Sequence, residues 1–158
     1  MHRDFVQKKL SNGINVFIHP TNKFKTITVK VYLHQELKRQ TVTRTALLPF
    51  VISRGCEMLP TSQEITAYME QLYGAGFDVD IVKKGERQII EFGFDIVSSR
   101  FIPGEKELFR KGLNALKEII TRPVVKNGGF DSVYLQQERD VLKRNIESLF
   151  NNKMQYAI

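Results

Sequence analysis

Cysteine is nearly absent from this sequence of 158 residues, tryptophan is missing, and no long apolar run occurs. The single cysteine, Cys56, excludes an internal disulfide framework and cannot form a thiolate metal site by itself, so we interpret it as a buried, inert thiol. No stretch reaches the roughly 18 apolar residues of a membrane-spanning helix, and the N-terminal stretch MHRDFVQKKLSNG lacks the apolar segment of a signal peptide. These absences predict a soluble, cytoplasmic protein with no membrane partner.

Histidine is scarce as well, with three residues in the chain and none after His34. His2, His19 and His34 fall on a terminus and at predicted strand ends, which favours exposed or hydrogen-bonded side chains over a set of metal ligands. Asp78 and Asp80 would need a cleft and perturbed pKa values to act as a general acid and base. A solvated strand face is the commoner arrangement of such residues.

The charged residues give the chain a basic balance, with 24 Lys and Arg against 17 Asp and Glu and a net charge of +7. The basic residues are scattered and are not interleaved with aromatic residues, which favours an ordinary solvated surface. We therefore expect no nucleic-acid partner. A basic nucleic-acid-binding module stays open as an alternative, and a steep salt dependence of binding to DNA or RNA would identify it.

The composition is that of a globular protein, with 42% apolar and 26% charged residues, and the length suits one domain over residues 1–158. The predicted elements are strands near 5–9, 14–20 and 25–35, a helix over 42–53, a helix from Thr61 or Ser62 to Gly74, a hairpin over 77–97 with its turn at 84–86, a helix opened by Pro103-Gly104 and ended before Pro123, a loop over 126–129, and a helix capped by Asp131.

This order of elements predicts an α+β fold, with an antiparallel or mixed sheet and helices packed on one face. In the last helix, the residues expected to face inward are Leu135, Leu142, Ile146 and Leu149. Because the sequence stops abruptly after this long helix, we expect the chain to be the N-terminal part of a longer protein.

Pro49 is an anomaly, since a proline in a helix interior loses a hydrogen bond and clashes with the preceding turn. The first helix should therefore kink at Pro49 or begin again there.

Four passages carry a family resemblance: LSNGINVFIHP near the start, Arg-Gly-Cys followed by Thr-Ser-Gln-Glu-Ile, GAGFDVDIVKKGERQIIEFGF, and the closing QQERDVLKRNIES. In their order and spacing they make the chain resemble the insulinase/pitrilysin-type, mitochondrial-processing-peptidase-like metallopeptidases, over nearly its whole length. The resemblance implies a metallopeptidase-like half-domain. In detail it is closest to inactive bacterial members associated with elongation factor P modification.

Active members of that family carry the inverted zinc motif H-x-x-E-H on one helix and a further glutamate ligand on a later helix. Anchored on Arg54-Gly55, the motif positions fall on Ala46, Pro49 and Phe50, and the later ligand position falls on Gln136. All three ligands and the general base are therefore missing together. The resemblance implies that no metal is bound and that no catalytic residue is present. Without a metal to hold, the first helix can tolerate Pro49.

The resemblance also implies a peptide-binding edge strand. In the family, the strand that follows the glycines matching Gly74 and Gly76 is a sheet edge that pairs with an extended substrate peptide. The matching positions here are Phe77, Asp78, Val79, Asp80, Ile81 and Val82. Since edge-strand addition needs only backbone groups, peptide binding could outlast the loss of catalysis. The alternative is an edge that Asp78, Asp80 and Lys83 merely protect from aggregation.

Taken together, the residues and the resemblance predict a non-catalytic zinc-peptidase homologue. It would serve as a regulatory or substrate-binding subunit that pairs with a similar-sized active H-x-x-E-H peptidase, or with a second copy of itself, and binds an extended peptide. An active zinc peptidase whose metal site lies beyond Ile158 is the alternative from the enzyme class.

Overall fold

The computed structural model describes residues 5–151, and the side chains up to residue 148. Its elements in chain order are β1 (Val6–Lys9), β2 (Asn15–Ile18), β3 (Thr26–Glu36), α1 (Val42–Ile52), α2 (Ser62–Gln71), β4 (Gly76–Lys84), β5 (Arg87–Val97), a short 3-10 helix (Ser99–Phe101), α3 (Leu108–Thr121), β6 (Val125–Lys126), β7 (Gly129–Phe130) and α4 (Ser132–Asn151).

A three-stranded antiparallel sheet in the order β3-β5-β4 forms the centre of the fold. Along β5, the fully buried Phe92, Phe94 and Ile96 alternate with more polar residues, as expected for a strand with one core-facing side. The core is completed by buried residues of the helices, Ile52 of α1, Met69 of α2 and Leu116 and Ile119 of α3 among them. The predicted α+β fold is confirmed.

Helix α3 lies very close to the core face of the sheet. A Cβ added to Gly112 would fall 2.2 Å from Cζ of Phe94, so no larger residue fits without moving that ring. This close approach explains why a residue of low helix propensity stands in the middle of α3.

The opposite face of the sheet carries polar side chains. Lys30 Nζ lies 2.6 Å from Glu91 Oε1 and 3.5 Å from Asp78 Oδ2. The hydrogen bond with Glu91 raises the pKa of Lys30 above its ordinary value. One lysine on the edge strand β3 therefore links all three strands across this face.

One local prediction holds and two are wrong. Thr61 is the N-cap of α2 and forms a reciprocal capping box with Glu64. The helix predicted to open at Pro103-Gly104 instead begins at Leu108, because Gly104 has a φ of +88° that no helix contains. Residues 126–129 are part of a small hairpin and not a loop: β6 and β7 pair across Asn127 and Gly128, which both adopt the positive φ that such a tight turn requires.

Helix α4 begins as predicted, with Asp131 Oδ1 accepting a hydrogen bond of 2.9 Å from the Val133 N–H. Leu135 and Leu142 are half-buried, but Ile146 is exposed, so the prediction that it faces inward is wrong. Among the described side chains of α4, those after Leu142 are all exposed. The side chain of Leu149 lies outside the described residues.

The N-terminal hairpin forms a separate two-stranded sheet. The predicted strands are present, but β2 pairs with β1 and does not join β3. Large apolar side chains remain exposed along this hairpin and the segment after it: Phe5, Val6, Leu10, Ile14, Phe17, Ile18 and Phe24.

Candidate functional site

Helix α1 runs without interruption through Pro49, which is fully buried, so the helix does not begin again at that residue. Pro49 has no N–H to donate to the preceding turn, but its carbonyl still accepts from the Ser53 N–H at 3.2 Å. Burial of the pyrrolidine ring offsets part of the cost of the lost hydrogen bond.

Both ends of α1 are held by side chains of other elements. At the start, the buried Gln88 of β5 donates from Nε2 to the Val42 carbonyl at 3.1 Å. After the last turn, the Ser62 hydroxyl donates to the Arg54 carbonyl at 3.1 Å. The Ser62 bond gives a partner to a carbonyl just beyond the end of the helix, where the ladder no longer supplies one, and the Gln88 bond ties the first turn of α1 to β5.

An ion pair joins the end of α1 to α4. Arg54 donates from Nε to Glu138 Oε1 at 2.6 Å and again from Nη2 to the same oxygen. The Glu138 side chain is 9% exposed and that of Arg54 is 34% exposed. The guanidinium also lies 6.0 Å from the centre of the Tyr134 ring. The end of α1 and helix α4 are thus tied together by a hydrogen-bonded charge pair.

The segment after Arg54 is packed against backbone on both sides. A Cβ on Gly55 would lie 2.2 Å from the Pro60 carbonyl oxygen, and the Gly55 carbonyl accepts from the Val124 N–H at 3.1 Å. Cys56 is fully buried, as predicted. Arg-Gly-Cys therefore marks a crowded junction between helices.

The motif positions do not form a metal site. Ala46 and Phe50 are half-buried and Pro49 is buried, while Gln136 is exposed and donates from Nε2 to Asp140 Oδ1 at 3.0 Å. Apolar side chains and a single amide supply none of the imidazole and carboxylate donors that Zn²⁺ takes. Across the described residues, no group of three or more His, Cys, Asp or Glu side chains could hold a metal ion.

The two described histidines also lie apart from this junction. His19, on the N-terminal hairpin segment, lies with its ring 5.2 Å from that of Phe5. His34 is exposed on β3 and pairs in register with Ile89. His2 lies outside the described residues.

Strand β4 is an edge of the three-stranded sheet, because it pairs with β5 on one side and with no other described strand. Two bonds next to the sheet, Leu37 N–H to Glu86 O and Ser98 N–H to Lys25 O, show that even-numbered residues of β5 face β3. Odd-numbered residues of β5 therefore bond to β4, through their even-numbered partners. The backbone groups of Phe77, Val79, Ile81 and Lys83 accordingly point to the open edge.

The side chains of the same strand alternate between the two faces of the sheet. Phe77, Val79 and Ile81 pack against the core, while Asp78, Asp80 and Val82 lie on the polar face. Asp80 also reaches its own backbone, where Oδ1 accepts from the Ile81 N–H at 2.7 Å. One of the donors on the open edge is thus already engaged by a neighbouring carboxylate.

The chain has similar relatives among known proteins. The chain is 33% identical over 150 residues to "Probable inactive metalloprotease YmfF" of Bacillus subtilis (strain 168). The match covers 95% of this chain and 35% of that relative, so the chain spans about a third of its length. No family model matches the chain.

A solved structure has the same fold. The chain superposes with a TM-score of 0.89 on a conserved protein from Enterococcus faecalis V583, with 27% sequence identity, over 97% of this chain and 36% of the other. None of the helices in the described part of the chain is both long and apolar enough to cross a membrane.

Two features of the site were missed by reasoning from the sequence. The Arg54–Glu138 pair joins residues that are 84 positions apart, and no local pattern signals such a contact. The bond between Asp80 and the Ile81 N–H is local, and an aspartate on a predicted edge strand was a signal that could have suggested it.

Proposed function

We propose that this chain is the peptide-binding part of a non-catalytic zinc-peptidase homologue of the insulinase/pitrilysin type. One contrast within the domain carries the proposal. Helix α1 has no metal donors at the zinc-motif positions, whereas the edge of β4 has outward-facing backbone groups. Ala46, Pro49 and Phe50 stand where ligands and base would be needed, whereas Phe77, Val79 and Lys83 present main-chain groups that an extended peptide can pair with.

The proposed mode of binding is strand addition. A peptide laid along β4 would bond to the backbone of Phe77 and Val79, while its own side chains would alternate between the polar face and the core side of the sheet. Since main-chain pairing carries little sequence information, the proposed role suits a subunit that presents varied substrates to a partner.

The proposed partner is a similar-sized active peptidase that carries H-x-x-E-H, or a second copy of this chain. Pairing would let one member bind peptide while the other holds the metal and the general base. The similarity to a protein described as a probable inactive metalloprotease supports the non-catalytic half of this proposal. The cytosol is the proposed location.

A binding experiment with backbone-modified peptides tests the proposal. The protein, labelled with ¹⁵N, is titrated with a blocked peptide of alternating threonine and valine, and with the same peptide N-methylated at every residue. Strand addition predicts chemical-shift changes centred on residues 77–83 for the unmodified peptide and none for the N-methylated one, because methylation removes the donors on both edges.

The matched control is the peptide N-methylated at alternate residues only, which keeps the donors on one edge and should bind. If neither unmodified nor methylated peptide shifts the β4 resonances, the proposed function is wrong. Shifts confined to β3, the other edge of the sheet, would also contradict it.

A further inference from the structure

The open edge of β4 does not present its donors equally. Phe77, Val79 and Lys83 have outward N–H groups, but the Ile81 N–H is bonded to Asp80 Oδ1 at 2.7 Å. A peptide carbonyl can pair with Ile81 only after that carboxylate has moved. Asp80 therefore occupies the place that one hydrogen bond of an added strand would take.

Asp80 differs from its neighbour Asp78 in its partners. Asp78 lies on the same face, 3.5 Å from Lys30 Nζ, and its carboxylate fills the space above Gly93. Asp80 is exposed and forms no ion pair with any of the described residues. Its charge remains available to a ligand.

The geometry of strand addition places a ligand side chain beside Asp80. Because odd-numbered residues of β4 would form the hydrogen-bonded pairs with an added antiparallel strand, Asp80 would stand in a non-hydrogen-bonded pair. In such pairs the two Cα atoms are only about 4.5 Å apart and the side chains share one face. A lysine or arginine at the opposite position could therefore reach the Asp80 carboxylate.

We infer that Asp80 gates this edge and selects its ligand: a basic side chain opposite Asp80 draws the carboxylate away from Ile81 and opens that N–H for the peptide backbone. This inference rests on the proposed function and names its substrate class, an extended peptide with a lysine or arginine at one fixed position. The basic side chain gains an ion pair and the backbone gains a hydrogen bond, so the two gains are coupled.

Three variants separate the charge of Asp80 from its hydrogen bond. Asp80→Asn keeps an oxygen that can accept from Ile81 but has no charge, and Asp80→Ala removes both. Asp78→Asn is the matched control, since it removes a charge on the same face two residues away. Both positions are exposed, so the three variants should fold like the original protein.

The probes are blocked threonine-valine peptides whose central residue is lysine, glutamine or glutamate, and the readout is the dissociation constant. The unaltered protein and Asp78→Asn should bind the lysine peptide roughly two- to fivefold more tightly than the glutamine peptide, the range typical of an exposed ion pair. Asp80→Asn should lose this preference. Asp80→Ala should lose it too and should bind the glutamine peptide roughly two- to tenfold more tightly than the unaltered protein, because Ile81 is then free to donate.

A second readout needs no peptide. Amide hydrogen exchange at Ile81 should become faster in Asp80→Ala and stay unchanged in Asp78→Asn. The ratio of the dissociation constants of the lysine and glutamine peptides could be the same for the unaltered protein and Asp80→Ala. That result would overturn the inference and leave the proposed function standing. If none of the peptides binds any of the proteins, the proposed function is overturned, and the inference with it.

Discussion

The junction between α1 and α4 and the open edge of β4 belong to the same domain, but they differ in how their polar groups are used. At the junction, Arg54 and Glu138 bond to each other and Pro49 is buried. Along the edge, Phe77, Val79 and Lys83 present backbone groups outward. The end of α1 is thus closed by packing and charge pairing, while the outward backbone groups along β4 have no partner among the other described strands.

This difference shows that the two parts of a peptidase site depend on different properties of the sequence. A metal site needs particular side chains, and apolar residues such as Ala46 and Phe50 cannot supply them. A strand edge needs only backbone groups and a register, and these survive almost any change of side chain. Loss of catalysis therefore does not entail loss of binding.

The largest expected effect comes from breaking the junction. Glu138→Ala leaves Arg54 beside the end of α1 without its hydrogen-bond acceptor and should lower the free energy of unfolding by about 3 kcal/mol. This is the low end for a buried pair, because a third of the Arg54 side chain can be hydrated. The measurement is urea denaturation followed by circular dichroism. Gln136→Ala is the control two residues away, and equal losses for the two variants would contradict a structural role for the pair.

A somewhat smaller effect is expected from Gly55→Ala. The new methyl group would lie 2.2 Å from the Pro60 carbonyl oxygen, and neither backbone segment can move freely, so the free energy of unfolding should fall by about 2 kcal/mol. Gly129→Ala is the control, because nothing lies within 4 Å of a Cβ at Gly129. Thermal unfolding of the two variants gives the comparison, and an unchanged midpoint for Gly55→Ala would show that this junction is loosely packed.

Two proline substitutions on β4 test whether its outer edge is open. Lys83 and Lys84 are both exposed, but the Lys83 N–H points to the open edge and the Lys84 N–H points to Arg87 across the hairpin. Lys84→Pro should therefore cost roughly 1–2 kcal/mol through the lost ladder bond, and Lys83→Pro distinctly less. Denaturation midpoints measure the stability loss of each variant. A larger loss for Lys83→Pro than for Lys84→Pro would mean that the outward backbone groups belong to the even-numbered residues of β4.

The smallest expected effect is a dependence of stability on alkaline pH. The hydrogen bond with Glu91 raises the pKa of Lys30 above its ordinary value of 10.5. Stability from Lys30 is therefore fully present below pH 10.5 and declines as the pH rises through the higher pKa of the folded protein. Lys30→Gln should flatten this decline in a urea titration repeated at several alkaline pH values, whereas Lys117→Gln, whose lysine is more exposed, should leave the decline in place.

Much of the fold could be predicted from the sequence, because local patterns determine it. Alternation along 77–97 predicts the central hairpin, and Thr61 with Glu64 predicts the start of α2. The start of α3 was misjudged because Pro103-Gly104 forms a turn with Gly104 at positive φ and does not cap a helix. Ile146 was misjudged because periodicity identifies an apolar face without saying whether anything packs on it.

The candidate site was less accessible to such reasoning. Missing ligands at Ala46 and Gln136 are visible in the sequence, but the Arg54–Glu138 pair arises only when α4 folds back onto α1. The outward direction of the Val79 backbone likewise depends on the register with β5, and a shift of one residue would reverse it.

Residue-resolved amide hydrogen exchange of β4, with and without the threonine-valine peptide, tests the central contrast most directly. Without peptide, the amides of Phe77, Val79 and Lys83 should exchange rapidly and those of Asp78 and Val82 slowly. With peptide, the outward amides should become protected while the amides around the α1–α4 junction stay as they were. Outward amides that are already slow without peptide, or that peptide leaves unprotected, would contradict an open, peptide-binding edge.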